Sequence, residues 1–363
     1  MVPEIEQDVG TKVSENRNLK HEVDFTRYDD TAPHGPKTPS AGSNVHRMSN
    51  TAIMLLDRAI RNTTKTKYKS KEKKWLTHCK HHNIHPNTQD TYAVLNFFAL
   101  EYERKLKWST IRAYVPALSD YLRKVDMVQI RRLLRGIFNL RPPVAKYTAI
   151  WDVNTVLTFL SAMIAESHKD LSMKLATLMM ILSGTRVNML SHMKTTNMFI
   201  TDLECTFVFD DALKETRPGF NTKPMVFRAF PSHPSLCPVL VMWRYLNIRN
   251  NLSGDPALFT TTRKHKGVYK PASPDTIARW IKEMLELSGI DSGKYSAHSC
   301  RSASTSAALF RGISLTTIVK SASWSNVTTF KNHYLKEITE AYDLQKANFG
   351  EEMLHTYVDS TVT

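Results

Sequence analysis

Apolar residues recur every three or four positions in several blocks of the chain, with stretches between them where no such period holds. Ile53, Leu55, Leu56 and Ile60 share one helical face, Trp75 and Leu76 mark a second helix, and Val94, Leu95, Phe97, Phe98 and Leu100 a third. A fourth begins after Ser109-Thr110 and turns Ile111, Tyr114, Leu118 and Leu122 inward. A short fifth over 128–138 sets Arg131, Arg132 and Arg135 beside Leu133, Leu134 and Ile137. This spacing predicts a small all-helical domain over residues 46–140. Residues 1–45 mix Pro, Gly, Ser and charge with few large apolar groups, so they read as a disordered tail.

"RPPVAKYT" at 141–148 breaks the pattern, because two prolines stop a helix and stiffen an extended segment. Residues 141–150 are therefore expected to be a linker. A second domain, 151–346, opens with "IWDVNTVLTFLSAMI", in which Asp152 fits a helix cap. "LATLMMIL" at 175–182 reads as a buried helix and is followed by the turn "SGTRVNMLSHM". Strand character appears at Phe199-Ile200, at 206–209 and at 225–230, with a polar, Gly- and Pro-containing stretch between the last two. From Pro238 onward the signal is helical again, and 347–363 is expected to be a tail. No internal repeat is present. The expected class is mainly α with a small β-sheet, an α+β protein.

Charge narrows the partners. Of 363 residues, 49 are Lys or Arg against 34 Asp or Glu, a formal charge of +15. Such an excess favours polyanions, nucleic acid first among them. The four cysteines form no C-x-x-C pair, which suits a reducing compartment and gives no zinc motif. The start, "MVPEIEQDVG", lacks the apolar core of a signal peptide, and no apolar run approaches the roughly 18 residues of a membrane span. The expectation is a soluble intracellular protein with no membrane partner. Two further segments stand out. "KTKYKSKEKK" at 65–74 suits a solvated basic helix face, a phosphate-contacting face or a nuclear signal. "HCKHHNIH" at 78–85 fits no standard zinc spacing, and its Cys79 falls at a core position.

The candidate chemistry begins with "SAHSCRSASTSAALFRG" at 296–312. His298 and Arg301 stand one helical turn apart at the mouth of a predicted helix that Gly312 would end. Arg186 follows a Ser-Gly turn in "LSGTRVNML", and Lys214 lies in "FDDALKETRPG", in or beside the turn between two predicted strands. Trp324 and Tyr334 lie in "SASWSNVTTFKNHYLKE". Arg, Lys, His, Arg, an indole N–H and a phenol, in that order, suit phosphoryl transfer without metal. Two guanidinium forks can hold the non-bridging oxygens, a phenol can attack, and an ammonium or imidazole can handle protons.

With these motifs the chain resembles the tyrosine recombinase (phage integrase) family over roughly residues 50–345. "KYTAIWDV" and the W-S-N-x-x-T-F-x-x-x-Y pattern are most similar to recombinases of DIRS-type retroelements. The resemblance implies a helical core-binding domain (46–140) followed by a catalytic domain (151–346). It makes Arg186 and Arg301 the phosphate clamp, Lys214 the hairpin lysine that protonates the leaving 5′ oxygen, with Lys223 the other candidate in that hairpin, and His298 a proton donor and acceptor. Trp324 takes a place where most members carry histidine, and Tyr334 becomes the nucleophile that forms a 3′-phosphotyrosine bond. It further implies double-stranded DNA as partner, contacted by Lys107, Ser109, Arg112, Arg131, Arg132 and Arg135. A homotetramer on paired sites, no cofactor, no metal, and a mobile-element role in the nucleus complete the expectation. One position departs from the pattern: Met189 stands where many members carry a carboxylate. A DNA-binding protein derived from such an enzyme but no longer cutting is the alternative. A type IB topoisomerase would share the phosphotyrosine chemistry, and the domain order and H-x-x-R with Trp324 fit it less well.

Overall fold

The computed structural model describes residues 48–210, 213, 216, 223–324 and 326–338. The expected tails at 1–45 and 347–363, and Lys214 itself, lie outside the described residues. The chain divides between Val144 and Ala145 into two compact units. It is mainly helical, with a small sheet in the second unit. Among the described residues no helix is long and apolar enough to cross a membrane.

The first unit holds α1 (Asn50–Arg58), α2 (Asn62–His81), α3 (Thr91–Glu103), α4 (Trp108–Arg112), α5 (Tyr114–Ala117) and α6 (Met127–Leu140). Helix starts follow cap chemistry: Asp90 accepts from the Tyr92 N–H and Asp126 from the Val128 N–H. The core joins Trp75 and Cys79 of α2 to Phe97, Phe98, Ile111, Tyr114, Leu118 and Ile130, all at most 1 % exposed. Two expectations change here. Helix α1 forms, yet it buries no residue, and Leu55 is 61 % exposed. The fourth helix is broken at Ala113 between α4 and α5. Pro116 is the reason: it has no N–H for the Arg112 carbonyl and its ring crowds that carbonyl.

The second unit is built on α8 (His168–Ser183), whose residues 171–181 are all buried. Before it come β1 (Ala149–Ile150) and α7 (Val153–Ala162), capped as expected by Asp152, which accepts from the Asn154 N–H. After it come α9 (Val187–Leu190), β2 (Met198–Ile200), β3 (Glu204–Phe207), β4 (Met225–Arg228), α10 (Pro238–Leu252), α11 (Pro274–Leu287) and α12 (Ser299–Phe310). The unit ends in α13 (Leu315–Ser321), α14 (Val327–His333) and β5 (Glu337–Ile338). Helices α10, α11 and α12 pack on α8. Each Leu, Ile or Met that α8 buries contributes about 1.5–3 kcal/mol of transfer free energy.

Strands β2, β3 and β4 form an antiparallel sheet in that order, with Phe199 facing Thr206 and Thr206 facing Val226. The helical signal past Pro238 is interrupted: residues between α10 and α11 carry isolated bridges such as Thr260 with Pro271 instead of helix. The Gly254 and Pro256 there disfavour helix continuation. Near the end, β5 pairs in parallel with β1, Ala149 to Glu337 and Ile150 to Ile338.

Candidate active site

Helix α8 stops at Gly184, whose φ of +57° is the left-handed conformation that caps a helix, with its N–H on the Met180 carbonyl. Two residues later Arg186 precedes α9, half-buried and in extended backbone. Helix α12 begins as expected directly after His298 and ends before Gly312, at φ +83°. Its residues are small because they touch backbone. Ser304 Oγ donates to the Ile181 carbonyl, and the Cβ of any residue replacing Gly184 would sit 3.0 Å from Thr305 Cγ2.

This close approach carries Arg301 into the interior, where it is fully buried. One terminal nitrogen donates to the Gly184 carbonyl at 2.7 Å and the other to the Ala322 carbonyl at 2.6 Å. A buried guanidinium without such partners would be costly, so these carbonyls fix it in place. Its carbon lies 4.3 Å from the Trp324 ring centre and 5.2 Å from that of Tyr334. Burial first, then the charge of Arg186, press its pKa down to about 10, while the Tyr334 phenol pulls the other way. Arg301 therefore remains a cation at neutral pH, and the two arginines are near enough to repel.

Tyr334 caps α14, half-buried. Its phenol oxygen lies 3.3 Å from Nε2 of the exposed His298, and its ring stands 4.7 Å from that of Trp324. Trp324 belongs to a small apolar cluster with Ile318, Ala322 and Phe330 against which Tyr334 packs. Buried Nε1 of Trp324 and Nε of Arg301 have no acceptor among the described residues. Two such donors beside a phenol suit an anion, since each buried unpaired N–H is costly.

The structure thus gathers Arg186, His298, Arg301, Trp324 and Tyr334 in one place. Lys214 lies outside the described residues; the flanking strands β3 and β4 pair antiparallel, and Lys223 is exposed. Met189 packs in the interior, 4 % exposed. In the first unit Lys107, Ser109, Arg112, Arg131, Arg132 and Arg135 are all exposed, on α4, its cap and α6. These two helices pack together, and Trp108 Nε1 donates to the Leu134 carbonyl at 3.0 Å.

Sequence reasoning missed the residues that hold this cluster. Fully buried Ser306 donates from Oγ to the Tyr334 carbonyl at 3.2 Å and accepts from the Lys336 N–H at 3.1 Å. Trp151 Nε1 donates to Ser299 Oγ at 2.9 Å, and Tyr295 donates to the Ala149 carbonyl at 3.1 Å, which ties β1 to the start of α12. The run of Ser, Thr and Ala in "SASTSAA" is the signal: small hydroxyl residues at helical spacing mark a close backbone approach.

No family model matches the sequence, and no curated protein matches it. Solved structures do show likeness. A lambda integrase dimer bound to a COC′ core site is 17 % identical and aligns over 80 % of this chain and 94 % of that chain, with a TM-score of 0.49. XerA recombinase is 14 % identical over 81 % and 94 %, at 0.41. The Tn1549 transposon integrase in complex with transposon right end DNA is 11 % identical over 72 % and 85 %, at 0.46.

Proposed function

We propose that this protein is a DNA strand transferase that cuts and rejoins a phosphodiester through Tyr334. The observation that carries the reading is the phenol oxygen of Tyr334 held 3.3 Å from the His298 imidazole, with the buried Arg301 cation against its ring. In the forward step the phenol oxygen attacks phosphorus and its proton passes to His298. The bond to the 5′ oxygen breaks, and that oxygen takes a proton, a role the resemblance gives to Lys214. Arg186 and Arg301 hold the non-bridging oxygens, and the Trp324 N–H adds a neutral donor. The 3′-phosphotyrosine conserves the energy of the broken bond, so a 5′ hydroxyl from another strand can reverse the step without ATP. Two guanidinium charges do here what a metal does elsewhere, so no metal or cofactor is invoked. The exposed residues on α4 and α6 contact duplex DNA, four copies assemble on paired sites, and the setting is a mobile element acting in the nucleus.

The test uses a pool of randomised duplexes nicked near their centres, from which a short fragment diffuses after cleavage and traps the enzyme. Covalent protein–DNA adduct should form in EDTA with wild type and be absent for Tyr334→Phe, which still binds DNA. Adduct in the Phe variant would mean another nucleophile, and adduct only with added metal another mechanism. Binding without adduct in wild type would favour the non-cutting alternative.

A further inference from the structure

Two segments of the first unit remain unused by this chemistry, the lysine-rich 65–74 and the histidine-rich 78–85. The structure brings them to one surface. A groove of about 610 Å³ between α2 and α3 is lined by Lys73, Lys74, His78, His81, His82 and Arg104, with Leu100 also on its wall. Among the described residues no group of His, Cys, Asp and Glu could hold a metal ion. The imidazoles pack against one another instead, His78 tilted on His82 at 4.3 Å and His82 edge-on to His81 at 4.9 Å between ring centres.

Behind the groove sits Glu101, fully buried. It accepts from the Tyr114 hydroxyl at 2.6 Å and from Arg104 at 2.7 Å, and Lys74 Nζ stands 3.9 Å away. A buried carboxylate is expensive unless it is paired. Here its pairing also orients cations whose side chains stay about half exposed, Arg104 at 58 % and Lys74 at 51 %. Lys73, Lys74 and Arg104 line the groove against the one carboxylate behind it, so it is cationic without any histidine charge.

We propose that this groove binds phosphates of a nucleic-acid backbone, and that its grip tightens as His78 takes up a proton. Its lining shares no residue with the exposed set on α4 and α6. The groove is concave and cationic, and larger than a single phosphate group needs. Burial first, then the charges of His82 and Arg104, hold His78 below the usual histidine value; Glu101 opposes them, and His81 adds a smaller push downward. The imidazole is therefore neutral at pH 7.5 in the free protein. A phosphate beside it supplies the missing counter-charge, so binding takes up protons and affinity rises as pH falls.

The proposal shares with the proposed function only the premise that the chain binds duplex DNA. Binding of a fluorescein-labelled random-sequence duplex to the full chain is measured at pH 6, 7 and 8, at constant ionic strength, and as a salt titration. Wild-type affinity should rise on the order of tenfold from pH 8 to 6, the equivalent of an average uptake of about half a proton across that range. The variant His78→Asn should bind like wild type at pH 8 and lose the rise. The pair Lys73→Gln, Lys74→Gln, which spares the Arg104–Glu101 contact, should lower the salt slope by about two. Thermal melting confirms that each variant is folded. An unchanged pH response in the histidine variant, or an unchanged salt slope in the lysine variant, overturns the proposal. So does a lysine variant that binds DNA like wild type but loses tripolyphosphate, which would make the groove a site for free oligophosphate. Failure of the nucleophile assignment would show differently, as absent adduct with this binding intact.

Discussion

The Tyr334 phenol and the His298 imidazole come within 3.3 Å of each other across 36 residues of sequence. Neither residue holds the other. His298 is placed by the start of α12, and Tyr334 by the end of α14 and by Ser306 beneath it. The contact is therefore a product of how α12 sits, and substitutions in α12 should reach the Tyr334 phenol without touching it.

Ser306 gives the sharpest case. Ser306→Ala removes the bond to the Tyr334 carbonyl and the one from the Lys336 N–H, leaving both backbone groups without that partner. The cost to stability should be about 1–3 kcal/mol. Adduct formation on the nicked duplex should slow more than DNA affinity falls, and Ser306→Thr should restore part of the rate. Equal losses in binding and adduct would mean a purely structural serine.

The clamp residues should rank by charge. Arg186→Ala should slow adduct formation by about 10²–10³, the loss typical of a preorganised charge donor. Arg301→Ala should cost at least as much and also lower the melting temperature, because the Gly184 and Ala322 carbonyls lose their donor. Trp324→Phe should cost only about 1 kcal/mol, since one neutral donor goes and the ring packing stays. Single-turnover adduct kinetics give the ranking.

Much of this site is legible in the sequence. H-x-x-R, the small residues after it and Gly312 predict α12 closely, because a helix start, a close-packed face and a left-handed stop are all local signals. The apolar face of α1 is legible as a helix but not as an exposed one, since periodicity says nothing of what covers it. Strand β5 could not be read at all. A two-residue strand has no period, and its partner β1 lies at the opposite end of the unit. The carbonyls that grip Arg301 are equally hidden, because every residue carries one.

Gly184 should tolerate no side chain. Its φ of +57° costs other residues roughly 1–2 kcal/mol, and a Cβ there would press on Thr305 Cγ2 at 3.0 Å. Gly184→Ala should lower the melting temperature, and, because Arg301 bonds the Gly184 carbonyl, it should slow adduct formation as well. A variant that melts and cleaves like wild type would remove Gly184 from the argument.

Part of the pH dependence of stability should trace to His168. Burial, and then the charge of Arg249, hold its imidazole below the usual value. The unfolded chain takes up that proton near pH 6.5, whereas the folded unit resists it. Its contribution is thus complete above that pH and lost as pH falls toward the depressed folded value. His168 also stacks on Tyr245 at 5.7 Å, so His168→Phe keeps the packing while removing the titration. Melting temperatures between pH 7 and 5 should fall less steeply in the variant.

The parallel pairing of β1 with β5 also sets an order of events in time. Arg186, His298 and Arg301 all precede β5 in the chain, and β5 is the last described element. Joining it to β1 closes a loop spanning nearly the whole unit, a slow, late step in folding. A chain still emerging from the ribosome, or one cut before Glu337, would hold the two arginines and His298 without the Tyr334 phenol fixed in place. On the function proposed above, such a chain would occupy DNA and not break it, so cutting would wait until synthesis had passed Ile338.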